Sequence, residues 1–116
     1  MKSCQNYKQC EVIAIDFDGT ITMPSEYPIT GEIRPEAIRV IKQLQNRYLC
    51  VLWTCRKGAY LDEALQLLRK EGIEFKYINS SPYPDRGSNK IYADVYIDDK
   101  NIGTVIDWDE IEKLLL

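Results

Sequence analysis

Two stretches of the 116-residue chain gather acids where chemistry could use them: Asp16-Phe17-Asp18-Gly19-Thr20 and Asp98-Asp99. Each follows a short apolar run, Val12-Ile13-Ala14-Ile15 in one case and Val95-Tyr96-Ile97 in the other. Residues i and i+2 of extended chain project to the same side, so Asp16 and Asp18 can face one site. Gly19 has no Cβ and permits both a sharp turn and a close approach of backbone to a ligand; Thr20 adds a hydroxyl that can steady the turn. Four carboxylates gathered at one edge would repel one another and disturb each other's protonation unless a cation neutralised them. Magnesium suits such a set, because it takes oxygen ligands and keeps several waters, needing only a few protein oxygens plus a phosphate oxygen. The chemistry indicated is therefore that of a phosphorylated substrate, with Mg2+ and Lys90 screening an anionic phosphate from an anionic carboxylate. Thr54, at the end of Leu49-Cys50-Val51-Leu52-Trp53, is placed to donate a hydrogen bond to a phosphoryl oxygen.

These side chains need elements that bring them together. The apolar run before Asp16 predicts a buried strand over about 11–17, and the Gly- and Pro-containing stretch 18–34 an irregular loop or small flap. Pro35 suits a first helical turn. From Pro35 to Arg47, Ala37, Ile38, Val40, Ile41 and Leu44 recur at helical spacing, a crossover helix with one buried face. Residues 49–53 repeat the strand-then-polar pattern. Residues 59–71 read as a helix closed by Gly72, 75–79 as a third strand, 80–90 as a loop, 95–97 as a fourth strand and 104–106 as a short fifth. A last helix is expected over 108–116, with Trp53 and Trp108 as packing residues. Alternating strands and helices predict a single three-layer α/β domain over residues 1–116, a Rossmann-like parallel sheet with right-handed crossovers. Ligands bind beyond the C-terminal strand ends of such sheets, where strand order reverses, and Asp16, Asp18, Thr54, Asp98 and Asp99 all fall at those ends.

Composition removes several alternatives. Charged residues are 28% of the chain and hydrophobic ones 45%, ordinary for a soluble domain. No apolar run reaches the ~18 residues of a membrane span, and the N-terminus lacks the apolar stretch of a secretory signal, so no membrane partner and a cytoplasmic location are expected. There is no histidine, and Cys4, Cys10, Cys50 and Cys55 include no C-x-x-C pair, which disfavours structural zinc. Cys50 and Cys55 read as small core-filling residues. A net charge of −3 without a basic block gives no footprint for nucleic acid as a partner, which leaves it only as a phosphorylated substrate.

Taken with their order, these segments resemble the haloacid dehalogenase (HAD) superfamily, and the resemblance covers nearly the whole chain. Its first motif is similar to residues 12–20, its second to Val51-Leu52-Trp53-Thr54, its third to Lys90 and its fourth to Tyr96-Ile97-Asp98-Asp99. The resemblance implies that Asp16 attacks phosphorus to form an aspartyl-phosphate, while Asp18 protonates the leaving oxygen and later activates water. It also implies that Asp16, the Asp18 backbone carbonyl, Asp98 and Asp99 hold Mg2+, with Asp99 the closer of the last pair. An acid at position 18 places the chain with the phosphatases of that superfamily. Its short loops imply a capless member, whose open site suits a large substrate or one completed by a neighbouring subunit. Arg56 and Lys57, with Arg86, are surface charges that could hold a second anionic group of the substrate, and Tyr27, Tyr60 and Tyr83 could line the entrance.

Two other classes compete. A phospho-accepting receiver also combines an acidic metal site with Thr and Lys, but it carries the acid pair first and the acceptor on a middle strand, whereas here the pair comes last. An idle binding module of the same fold would have no chemical need for both Asp16 and Asp18.

Overall fold

A computed structural model describes residues 10–83 and 89–116. Its elements follow in the order β1 (Val12–Ile15), α1 (Pro35–Gln45), β2 (Leu49–Leu52), α2 (Gly58–Lys70), β3 (Tyr77–Ile78), β4 (Val95–Ile97) and α3 (Trp108–Leu115). The four strands form one parallel sheet in the order β3-β2-β1-β4. Most elements fall within one or two residues of the sequence expectation, although β3 keeps only the last part of its apolar run. The fifth strand does not form. Gly103, at φ +81°, closes a turn in which the Thr104 amide reaches the Asn101 carbonyl, and Asp107 already caps α3 through the amides of Asp109 and Glu110. Too little chain lies between turn and cap for a ladder, and Val105 is left exposed.

Register sorts the side chains into two faces. Ile13 pairs with Cys50 and Val95, and Ile15 with Leu52 and Ile97; these face one way, into a cluster with Ala37, Ile41 and Leu44 of α1, Ala64 and Leu68 of α2, and Trp108 and Leu115 of α3. All three helices thus cover the same face. Val12, Ala14 and Val51 look the other way, where Tyr83, Ile91 and Tyr92 cover them instead of a helix. Among the described residues the expected three helix-sheet-helix layers become two, with aromatic residues over the second face. In the described part of the connection from β3 to β4, Ser80, Ser81 and Pro82 oppose helix formation. The same burial pattern places Cys50 in the core as expected and corrects Cys55, which is exposed because it sits in the turn beyond β2.

The chain steps from β1 to β2 and β3 on one side, then crosses back to set β4 on the other side of β1. Strand order therefore reverses between β1 and β4, where a ligand crevice is expected. Beyond β1 the backbone tightens: the amides of Thr20, Ile21 and Thr22 all reach the Phe17 carbonyl. A flap follows, closed at its base by the single antiparallel Thr22–Ile33 bridge and a Met23 amide to Glu32 carbonyl bond. The indole of Trp108, 1% exposed, donates to the Thr20 carbonyl at 2.9 Å and so ties α3 to the turn. Trp108→Phe keeps most of the apolar burial and strands that carbonyl. Urea unfolding should show a loss of about 1–3 kcal/mol.

Candidate functional site

Asp16 follows β1 directly, and its amide donates to the Ile97 carbonyl of β4 at 2.9 Å, so the two acidic segments are joined at the backbone. Asp16, Asp98 and Asp99 each present a carboxylate oxygen, all within 4.8 Å of one another. The Thr20 hydroxyl links two of them: it donates to Asp16 Oδ2 at 3.0 Å and accepts from the Asp99 amide at 3.0 Å. Asp98 Oδ1 accepts from the Lys100 amide at 2.9 Å. Asp99 Oδ1 is buried without a hydrogen-bond partner, an arrangement that costs free energy unless something else meets the oxygen. Gly19, at φ +80°, makes room for this side chain, since a Cβ there would lie 2.2 Å from Asp99 Oδ2.

Burial, then Asp98 and to a smaller degree Asp99, push the Asp16 pKa up from 3.8 to about 7 against the opposing pull of the Thr20 hydrogen bond. A buried oxygen without a donor, two further carboxylates and a neighbour driven to hold its proton all fit a hard divalent cation, and the donor set is oxygen only, as Mg2+ prefers. Asp18 stands apart from this trio. Both of its oxygens turn to Arg56, which donates from Nε to Oδ2 at 2.8 Å and from Nη2 to Oδ1 at 2.7 Å.

Thr54 lies at the β2 end as expected. Its backbone is clamped by the Asn79 side chain, which accepts from the Thr54 amide at 2.8 Å and donates to its carbonyl at 2.9 Å. The Thr54 hydroxyl accepts from the Arg56 amide at 3.1 Å, which leaves its own hydrogen for another acceptor. Asn79 itself takes φ +52°, a conformation Asn tolerates better than most residues; an Asn directly after an apolar run was the available signal, and sequence reasoning passed over it.

Other expectations change. Arg56 is neither a surface charge nor a group free for substrate: it is 1% exposed and engaged by Asp18, Thr30 and the Tyr60 carbonyl. Lys90 is exposed and its Nζ lies 4.9 Å from the Tyr96 ring centre, while the charges acting on Asp16 are those of Asp98 and Asp99. Among the described residues Lys100 lies beside the acids, with Nζ 4.0 Å from Asp99 Oδ2, a contact of small energetic weight because the lysine is exposed. Tyr27 and Tyr60 stack edge to face at the flap, with ring centres 5.7 Å apart. Tyr83 packs on Tyr92 and donates to Glu11 at 2.6 Å, so it sits toward the start of β1 and away from the site. Lys57 is exposed as the N-cap of α2, and Arg86 lies outside the described residues. No helix among the described residues is long and apolar enough to cross a membrane.

Fold and site together define an α/β protein with an all-parallel sheet and an acidic, oxygen-only centre at its strand-order reversal. No family model and no curated protein matches the chain. Among solved structures it is similar to a conserved protein from Bacteroides thetaiotaomicron, with 41% identity, a TM-score of 0.80, and coverage of 90% of this chain and 88% of that one. The chain belongs to the same family as that protein.

Two outcomes test the centre. Folded Asp16 keeps its proton to about pH 7, whereas an unfolded chain releases it near 3.8; the folded state therefore holds more protons between those values, and raising pH through that window favours unfolding. With chelator present, Tm should fall between about pH 5 and about pH 8, Mg2+ should raise it more at the higher pH, and Asp16→Asn should flatten both responses. Gly19→Ala should displace Asp99 and weaken Mg2+ binding about 10-fold or more, measured by titration calorimetry.

Proposed function

We propose that this chain is a Mg2+-dependent phosphohydrolase of the HAD type, with Asp16 as nucleophile and a Rossmann-like, capless architecture. The observation that carries the proposal is the convergence of Asp16, Asp98 and Asp99 within 4.8 Å, with one buried Asp99 oxygen lacking a partner. Asp16, Asp98 and Asp99, with the Asp18 backbone carbonyl, would hold the ion. When bound, Mg2+ supplies positive charge that lowers the repulsion between a phosphate and the attacking carboxylate.

The chain's own residues do the rest. An Asp16 oxygen attacks phosphorus, and the bond from phosphorus to the leaving oxygen breaks as the new one forms. Asp18 gives the leaving oxygen a proton, then takes one from the water that attacks the aspartyl-phosphate, so that phosphate departs and Asp16 returns to its starting state. Thr54 supports this by offering its hydroxyl hydrogen to a phosphoryl oxygen. Lys100, beside Asp99, adds a cation at the rim, and Lys90 is the second lysine of the β4 region. Among the described residues the segment between β1 and α1 forms no more than a small flap, which favours a phosphoester group presented on a large molecule or at a subunit boundary.

Mg2+-dependent release of phosphate from 4-nitrophenyl phosphate is the expected activity, and Asp16→Asn should lower it at least about 1000-fold. Hydrolysis that survives Asp16→Asn, or that is indifferent to Mg2+, would sink the proposal.

A further inference from the structure

Arg56 is the one charged side chain fully buried among the described residues. Its donors are all directed inward: Nε and Nη2 to the two Asp18 oxygens, Nη2 also to the Thr30 hydroxyl at 2.9 Å, and Nη1 to the Tyr60 carbonyl at 3.1 Å with Glu63 at 4.0 Å. The guanidinium also lies 5.1 Å from the Phe17 ring centre and 5.6 Å from that of Tyr27. Four of its five N–H groups are hydrogen-bonded, the second Nη1 hydrogen points toward Glu63, and at 1% exposure the group presents no open donor face to a phosphate. The group instead joins the turn after β1, the flap and the first turn of α2, and the only catalytic side chain it grips is Asp18.

A carboxylate at a turn can rotate about two bonds, and a displacement of about 1 Å in a reacting group can cost on the order of 100-fold in rate. A bidentate guanidinium pair removes that freedom, because the planar fork fixes both oxygens at once. Each oxygen retains a second lone pair, and the Asp18 side chain stays 30% exposed. We propose that Arg56 is a positioning residue for the reaction: it sets Asp18 at the angle from which the proton passes to the leaving oxygen, with Thr30 of the flap holding the guanidinium in place. This rests on the phosphohydrolase reading above. In the reactive form Asp18 carries its proton on a lone pair that Arg56 does not use, against the pull of the guanidinium toward the ionised carboxylate; the Asp16 oxygen–phosphorus bond forms, the bond from phosphorus to the leaving oxygen breaks, and that proton ends on the leaving group.

The test uses the leaving group. A nitrophenolate departs without a proton, whereas an alkoxide needs one, so Asp18 matters for an alkyl phosphate and little for 4-nitrophenyl phosphate in the first step. Arg56→Lys keeps the charge and loses the fork. Its kcat/KM, which reports steps up to phosphorylation of Asp16, should fall on the order of 100-fold for β-glycerophosphate and less than about 5-fold for 4-nitrophenyl phosphate. In an Asp18→Asn background the same change should have no further effect on β-glycerophosphate, because Arg56 acts through Asp18. Thr30→Val removes one hydroxyl of the same network without touching the charge and serves if Arg56→Lys fails to fold; it should shift the two substrates unequally in the same direction. Equal losses on both esters, or additive losses with Asp18→Asn, would overturn this inference while leaving the phosphohydrolase standing. A wild-type protein that releases phosphate from neither ester would overturn the phosphohydrolase reading, and this inference with it.

Discussion

Mutual repulsion among Asp16, Asp98 and Asp99 is the constraint around which this structure is arranged. Three acids within 4.8 Å of one another are unfavourable in a partly desolvated crevice, and nothing about a strand end requires them. The fold nevertheless holds them together from several directions: the Asp16 amide is bonded to β4, Thr20 bridges Asp16 and the Asp99 backbone, Trp108 fixes the Thr20 carbonyl, and Gly19 leaves the space Asp99 occupies. Parallel pairing of β1 with both β2 and β4 provides the rigid base beneath them. Holding like charges together on rigid elements costs local stability, a cost that a bound cation would offset.

Much of this was legible in the sequence because the informative signals are local. A short apolar run ending in polar residues identifies a strand and its C-terminal end together, which is why Asp16, Thr54, Asp98 and Asp99 lie at the strand ends their flanking residues implied. The helical spacing of Ala37, Ile38, Val40, Ile41 and Leu44 was equally direct, and all five are buried. What local pattern did not reveal was which partner each polar residue would find. Arg56 reads as a solvated charge just past a strand, and only the return of the flap and the approach of α2 surround it. Lys90 and Lys100 show the same limit, since distance along the chain says little about which ammonium ends beside the carboxylates.

The second face of the sheet makes a related point about layers. Val12, Ala14 and Val51 are as apolar as strands flanked by helices on both sides should be, yet tyrosines and Ile91 from the β3–β4 connection perform that burial. Aromatic rings bring large area on few residues, so a loop can stand in for a helix. The Tyr92 hydroxyl meets Asp94 at 2.5 Å and the Tyr96 hydroxyl meets the Ile91 carbonyl, which gives their polar ends partners at the same time.

Burying a guanidinium between three separate segments also limits how the family can drift. Loss of the acid at 18 alone would leave a positive charge enclosed without its main counter-ion, and loss of Arg56 alone would release Asp18 and take one donor each from the Tyr60 carbonyl and the Thr30 hydroxyl. Breaking a buried pair from one side costs several kcal/mol, typically ~3–5, whereas replacing both sides together can be nearly neutral. Positions 18 and 56 are therefore coupled as a unit of inheritance, with position 30 following them, and a relative that has abandoned one member should have rebuilt the whole cluster.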